Sequence, residues 1–484
     1  MTTFERHDVQ GFVVSGYGKM HQARYLLLEI RDPGAARQWI GDLAERVTTS
    51  ERPEVRRCVN VAVTSDGCVA LGLSRRELGT FSPPFQEGMA SEHRRRILGD
   101  VDASAPSHWE WGASAAASTA APAGRVHVLL LLFATDEATM EEVEAEESAH
   151  LHAGGALDVV VRLVPEPLPG RVSVGKFGVE HFGFADGMSQ PLIRGSGQEA
   201  DLAGDDARRT VIETGEFILG YPNGYGELTP WPKLTLPGGD GDGFGRNGTS
   251  LVVRQLAQDV SRFWTFLRDS SPAAGDGDGA TDQEQMERLG AKLVGRWPSG
   301  APLVRTHHRD DPDLGTDNSF GYASVDPYGQ RCPFGAHIRR SNPRDALASD
   351  GDGDADADKA LELANLHRIM RRGRVYGPGL DDPLGGDDGR DRGLLFLCIN
   401  ANIERQFEFV QHTWCNNPKF AGLYDEQDPL LATPPAGGGH FSVQDVPVRQ
   451  RIRGMPSFVT VRGGCPRGVG LPHDRCLGAR SLRD

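Results

Sequence analysis

The sequence has no long hydrophobic run, no C-x-x-C pair, no block of basic residues and few aromatics. Its longest apolar stretch, Val126–Ala134, contains a histidine and is about half the roughly 20 residues that a helix needs to cross a bilayer, which excludes a membrane-spanning helix. The N-terminal MTTFERHDVQG has neither a positive n-region nor an apolar h-region, so no secretory signal is expected. Arg56-Arg57 lies too deep in the chain for a twin-arginine signal. The 7 cysteines are odd in number and sparse, which argues against a zinc ribbon or a disulfide framework and for reduced thiols. With 67 acidic against 52 basic residues the net charge is −15, and a nucleic-acid backbone or an anionic membrane would be repelled. The expectation is a cytoplasmic protein that binds neither nucleic acid nor membrane.

What is present suits a globular chain. Its 484 residues suggest two or three domains, and a hydrophobic fraction of 38% can fill a core. Gly 61 and Pro 31 make it loop-rich without reaching the level of disorder. The first third alternates strands and helices: a strand at Ala23–Ile30, a helix at Ala35–Val47, and a hairpin over Cys58–Leu73 turning at Asp66-Gly67. A low-complexity loop (Ala113–Gly124) follows, then a strand at Val126–Ala134, an acidic helix from Asp136, and a strand at Val159–Leu163. From about Gly215 the mix repeats, with strands at Gly248–Leu256 and Gly393–Asn400 and helices at Gln258–Arg268 and Leu361–Arg371. This order predicts an α+β fold with antiparallel pairing.

Several segments could carry chemistry. The best of four acidic Gly/Asp loops, Asp350–Asp354, fails the calcium-loop pattern, because Ala355 and Leu361 stand where glycine and glutamate are needed. His307-His308 reads as a polar loop, since neighbouring histidines on a strand face opposite ways. In RCPFGAHIRRSNPRD (Arg331–Asp345), His337 with Arg339, Arg340 and Arg344 is either a loop histidine among surface arginines or an axial iron ligand beside porphyrin propionates. Cys332 lies outside any C-x-x-C-H, so covalent haem attachment is excluded. In HFGFADGMSQP (His181–Pro191), Asp186 is either a turn residue or a carboxylate with a tuned pKa.

Together these segments resemble the dye-decolorizing peroxidases, densest in the longer-chain branch of that family. The matching blocks are Gly183–Gly187 (G-x-x-D-G), CPFGAHIRRSNPRD, LHRIMRRGRVYGP (Leu366–Pro378) and the strand-and-helix stretch Gly393–Phe420. They occur in the family's order, and the resemblance runs from about Asp8 to Gly464. It implies two ferredoxin-like domains with antiparallel sheets, of the dimeric α+β barrel type, with non-covalent haem b in the C-terminal one. The expected boundaries are 8–195, ending in the G-x-x-D-G segment, and 205–464, followed by an atypical polar tail, 465–484.

The resemblance also implies roles. His337 is the axial ligand to iron, and Asp428 accepts its other ring N–H. Asp186 moves the peroxide proton, and Arg371 stabilises charge as the O–O bond breaks, with neighbouring Arg372 as the alternative. Leu394 and Phe396 border the cavity, and Arg344 pairs with a propionate. The implied reaction oxidises phenols and anthraquinone or azo dyes with hydrogen peroxide, by one-electron steps through an oxoferryl species; a haem-handling protein on the same fold is the alternative. Trp264, Tyr376 and Trp414 are candidate relays for bulky donors. The resemblance is compatible with a homo-oligomer, and the terminal LGARSLRD is similar to tails that target encapsulin shells. After VTVRGG the family continues with an apolar strand, whereas here the chain turns polar at Cys465; loss of that strand would leave a sheet edge exposed.

Overall fold

The structure, a computed structural model, describes residues 4–51, 55–113, 124–152, 155–168, 178–233, 244–272, 280–348 and 354–470, with backbone only for 354 and 466–470. In the first half, β1 (Gln22–Ile30) leads to α1 (Pro33–Leu43), β2 (Arg57–Val63), β3 (Val128–Ala134), α2 (Glu137–His152) and β4 (Leu157–Leu163). Local chemistry sets these limits. Asp32 caps α1 by accepting a hydrogen bond from the Ala35 amide at 2.7 Å, and Pro33 occupies the first turn, where its missing N–H costs nothing. Trp39, Ile40 and Leu43 then fall on one buried face.

The second half repeats the plan with longer insertions. It comprises β5 (Thr249–Gln258), α3 (Val260–Ser270), α4 (Asp282–Val294), β6 (Met370–Arg371), β7 (Arg374–Tyr376), β8 (Gly393–Asn400) and β9 (Val459–Gly470). The strands form one antiparallel sheet in the order β6-β8-β5-β9-β2-β3-β1-β4, with β7 also on β8. Each half therefore reads fourth, first, third, second, the ferredoxin-like order. The halves join where Val469 and Gly470 of β9 pair with Val63 and Ala62 of β2. At the other edges Pro165 bridges Tyr376, and the Glu166 amide donates to the Val375 carbonyl at 2.9 Å, so the sheet almost closes on itself.

Strand alternation divides the apolar residues between two faces. Tyr25, Leu27, Leu129, Leu131, Phe133, Leu251, Val253, Leu395 and Leu397 fill the interior. Leu26, Leu28, Val59, Val61, Leu130 and Leu132 face outward beneath α1 and α2.

Three expectations change. Asp66-Gly67 does not turn a hairpin: Thr64 accepts from the Gly67 amide at 2.9 Å and starts the helix Ser65–Ala70. A Cβ on Gly67 would lie 2.1 Å from the His127 carbonyl oxygen, so the glycine serves close packing rather than a turn. The helix expected through Arg371 stops at Asn365, and Arg371 lies on β6. The last strand is present despite its polar sequence: the backbone of β9 continues to Gly470 and supplies the seam. The loop Asp350–Asp354, apart from Asp354, and the segment LGARSLRD lie outside the described residues. Among the described residues no helix is long and apolar enough to cross a membrane, and no group of three or more His, Cys, Asp or Glu is placed to hold a metal. The six described cysteines are buried.

Candidate active site

The second half-sheet is not covered as the first is. Beside β5 and β8 lies a cavity with about 1600 Å³ of empty space, its open mouth included, lined by Leu256, Leu394 and Phe396 from the strands. Leu394 and Phe396 thus lie on the opposite face of β8 from the interior residues Leu395 and Leu397.

His337 comes from the first position of a short helix, α5 (His337–Ser341), which follows the Cys332–Ala336 turn. It lines the cavity, and its Nδ1 lies 2.9 Å from Asp428 Oδ2. Asp428 is buried, and its Oδ1 accepts from the Leu430 and Leu431 amides, each at 2.9 Å. Burial alone would raise the Asp428 pKa, but the charge and hydrogen bond of His337 hold it below the usual value. For His337, burial works against protonation, and Asp428 outweighs it, so the imidazole pKa is raised. Asp428 accepts the hydrogen bond from Nδ1–H, which in the neutral imidazole fixes the tautomer with its lone pair on Nε2, the form that binds a metal.

Asp186 and Arg371 meet elsewhere on the lining. Arg371 Nη1 donates to Asp186 Oδ1 at 2.9 Å, and the Gly187 amide donates to the same oxygen at 2.6 Å. Both side chains remain reachable, 39% and 34% exposed. Burial pushes the Asp186 pKa up, yet the Arg371 charge, the Gly187 amide and the Arg371 hydrogen bond bring it below its ordinary value. Arg371 is fixed further by the Met188 carbonyl, at 2.7 Å from Nη2, and by Gln190 on its backbone amide. Arg372 points the other way, donating to the carbonyls of Phe12, Val13 and Val14. Strand alternation separates the two arginines.

Of the three arginines around His337, Arg344 alone lines the cavity. Arg339 binds Asp326, and Arg340 binds the carbonyls of Trp414 and Glu426, tying α5 to the loop that carries Asp428. Sequence reasoning passed over Arg296 and Arg368, which also line the cavity. Arg296 and Arg344 share the Asn318 side chain and lie over the Phe320 ring, at 5.3 and 3.9 Å from its centroid. Arg368 donates to the carbonyls of Arg209 and Ser189. Among the described residues none of the three forms an ion pair with a carboxylate. Burial lowers the pKa of Arg296 to about 10 and that of Arg368 to about 9. No local motif marks these two; a fold was needed to gather them.

The remaining wall is a helical stretch with π-type turns, Glu404–Glu408 and Val410–Cys415, which presents Phe407, Val410, Gln411 and Cys415 to the cavity. Such turns carry an extra residue and often occur at functional sites. Of the candidate relays, Trp414 and Tyr376 are buried, and Trp264 is half-buried, its indole N–H donating to the Phe182 carbonyl at 3.1 Å.

An apolar slot with a free imidazole nitrogen and buried guanidinium groups awaiting acidic partners fits haem, whose body is apolar and whose edge carries two carboxylates. Comparison gives the class of protein, a peroxidase and so an oxidoreductase. The chain belongs to the dye-decolorizing peroxidase family, whose members are haem proteins. It is 30% identical over 444 residues to dye-decolorizing peroxidase msp1 of Mycetinis scorodonius, covering 88% of this chain and 76% of that protein. It is 32% identical over 419 residues to the dye-decolorizing peroxidase of Mycena epipterygia, covering 81% and 69%. A solved dye-decolorizing peroxidase in complex with 2,6-dimethoxyphenol superposes with a TM-score of 0.77 at 25% identity, over 98% of this chain and all of that one. No family model matches the chain.

Proposed function

We propose that the chain binds one non-covalent haem b and uses hydrogen peroxide to oxidise phenols and anthraquinone or azo dyes, with the halves bounded at 8–195 and 205–464. The observation that carries this reading is the contact of Asp186 with Arg371 at 2.9 Å in the cavity that His337 also lines. When bound, haem would supply two-electron reduction of peroxide and one-electron oxidation of donors.

The chain's own groups divide the remaining work. His337 Nε2 would hold the haem iron, and Asp428, accepting from Nδ1–H, would make the imidazole a stronger donor. Arg344 and Arg296, side by side over Phe320, each take one propionate. Asp186 Oδ1 is engaged by Gly187 and Arg371, so Oδ2 is the atom that accepts the peroxide proton and returns it to the leaving oxygen. The Arg371 guanidinium stabilises the negative charge that grows as the O–O bond lengthens. Leu394 and Phe396 narrow this side of the cavity and favour a small oxidant over a bulky donor. The acid–base pair favours peroxide chemistry over haem carriage, since a carrier needs neither group.

The test is the visible spectrum of the protein, purified with haem supplied, before and after one equivalent of hydrogen peroxide. A Soret band that shifts with peroxide and returns on adding a phenol is the expected result. A Soret band inert to peroxide would replace this reading by haem handling, and no Soret band at all would overturn both.

A further inference from the structure

Four arginines and two carboxylates, Asp186 and Glu180, line the haem cavity, and Glu180 is held by the Phe182 and Phe184 amides and by Gln258 rather than by an arginine. Haem carries two carboxylates, and Arg296 and Arg344 form a matched pair for them, joined through Asn318 and Phe320. Arg371 is offset by Asp186. Arg368 is left over. It is 7% exposed, lines the cavity, and is held only by backbone carbonyls, those of Ser189 at 2.7 Å and Arg209 at 3.0 Å. A buried guanidinium without an acidic partner is costly, and a ligand that supplies the acid recovers that cost.

Arg368 also has a route to the surface. Arg209, on the helix Gly204–Thr210, gives its backbone carbonyl to Arg368, and its partly exposed side chain makes a long acidic contact, 3.4 Å to the exposed Asp205. Arg344 feels the charge of Arg209, and Arg368 feels those of Arg344 and Arg371. In a chain with a net charge of −15, this file of guanidinium groups is a local reversal of sign.

We propose that Arg368, with Arg209 beside it, forms a subsite for the carboxylate or sulfonate of an anionic aromatic donor, at the edge of the haem cavity near Ser189. The subsite rests on the peroxidase reading and adds a preference to it. Donors with an acidic group are drawn to the propionate edge, and neutral donors of the same size gain nothing from Arg368. The bound acid is held by charge-assisted hydrogen bonds to the guanidinium, which can grip a carboxylate with two parallel N–H donors.

The test compares the haem-loaded wild type with Arg368→Gln and Arg209→Gln. Two readouts are taken: the dissociation constants of benzoate, benzenesulfonate and neutral benzyl alcohol from perturbation of the Soret band, and kcat/KM for 4-hydroxy-3,5-dimethoxybenzoate relative to 2,6-dimethoxyphenol. In the wild type the anions bind at least tenfold tighter than benzyl alcohol, and added salt weakens them selectively. Arg368→Gln removes that preference and lowers the kcat/KM ratio tenfold or more, and Arg209→Gln lowers it severalfold. Tighter binding by benzoate or by benzenesulfonate assigns the carboxylate or the sulfonate as the preferred acid. Equal binding of anion and alcohol in the wild type, or an unchanged ratio in both variants, overturns the subsite. Should Arg368→Gln fail to take up haem, Arg209→Gln, altered at the surface, decides. A wild type with no peroxide-responsive Soret band would instead sink the peroxidase reading.

Discussion

The two halves share one strand order and differ in what covers the sheet. In the first, α1 and α2 lay Trp39, Ile40, Leu43, Met140 and Val143 against Leu26, Leu28, Val61, Leu130 and Leu132, leaving no room. In the second, the corresponding face of β5 and β8 shows Leu256, Leu394 and Phe396 to a cavity. The helices α3 and α4 pack largely with each other and with Phe182, Phe184 and Phe458, off to one side. The space is framed by long insertions: the segment with Asp186 follows β4, the one with His337 follows α4, and Asp428 precedes β9. A repeated scaffold thus gives one filled half and one open half, and it is the open half whose cavity is lined by His337, Asp186 and four arginines. Function here follows from the insertions.

That comparison can be broken from either side. The largest effect is expected from His337→Ala, which removes the only histidine among the described residues that line the cavity; the purified variant should lose its Soret band, and full haem retention would refute the ligand assignment. Asp186→Asn should keep the haem but slow the peroxide step by about 10² to 10⁴-fold in stopped-flow mixing, the usual worth of a positioned acid–base group. An unchanged rate would remove Asp186 from the mechanism.

On the filled side, Leu130→Ala should cost about 2–5 kcal/mol in chemical denaturation, because the side chain is fully buried between tight neighbours. The Soret band of the molecules that remain folded should not move. Phe396→Ala, facing the cavity, should cost less than the about 3–5 kcal/mol typical of a buried phenylalanine, and a cost as large would mean that the wall is as tightly packed as the first half. The smallest effect is on pH dependence. The Asp186 pKa is depressed below 3.8, so the base form persists above that lowered value and is lost only as pH falls through it. The peroxide-step rate should therefore stay level through mild acid and drop below pH 3.8, and a fall already at neutral pH would contradict the Arg371 contact.

Much of the fold was legible because periodicity is local. The runs at Ala23–Ile30, Val126–Ala134 and Gly393–Asn400 became strands within two residues of their expected limits. The hairpin at Asp66-Gly67 misled because an Asp-Gly pair also fits a capped helix start, and only the approach of His127 shows why glycine is there. Arg371 was assigned a role but not a helix-free setting, since β6 is two residues long and exists by pairing with β8. The polar run after Gly464 carried no strand signal, yet its backbone completes the sheet, because the open edges of β5 and β2 supply the partners.

By itself the sequence determined the alternation of elements, the absence of a membrane-spanning helix and, through the resemblance its motifs carry, the set His337, Asp428, Asp186 and Arg371. These are properties of neighbouring residues, and they survive without a fold. The tertiary structure alone decided that Nδ1 of His337 meets Asp428, that Arg371 and not Arg372 meets Asp186, and that Arg296, Arg344 and Arg368 share one cavity. Charges far apart along the chain acquire their meaning from burial and distance, and those exist only after folding.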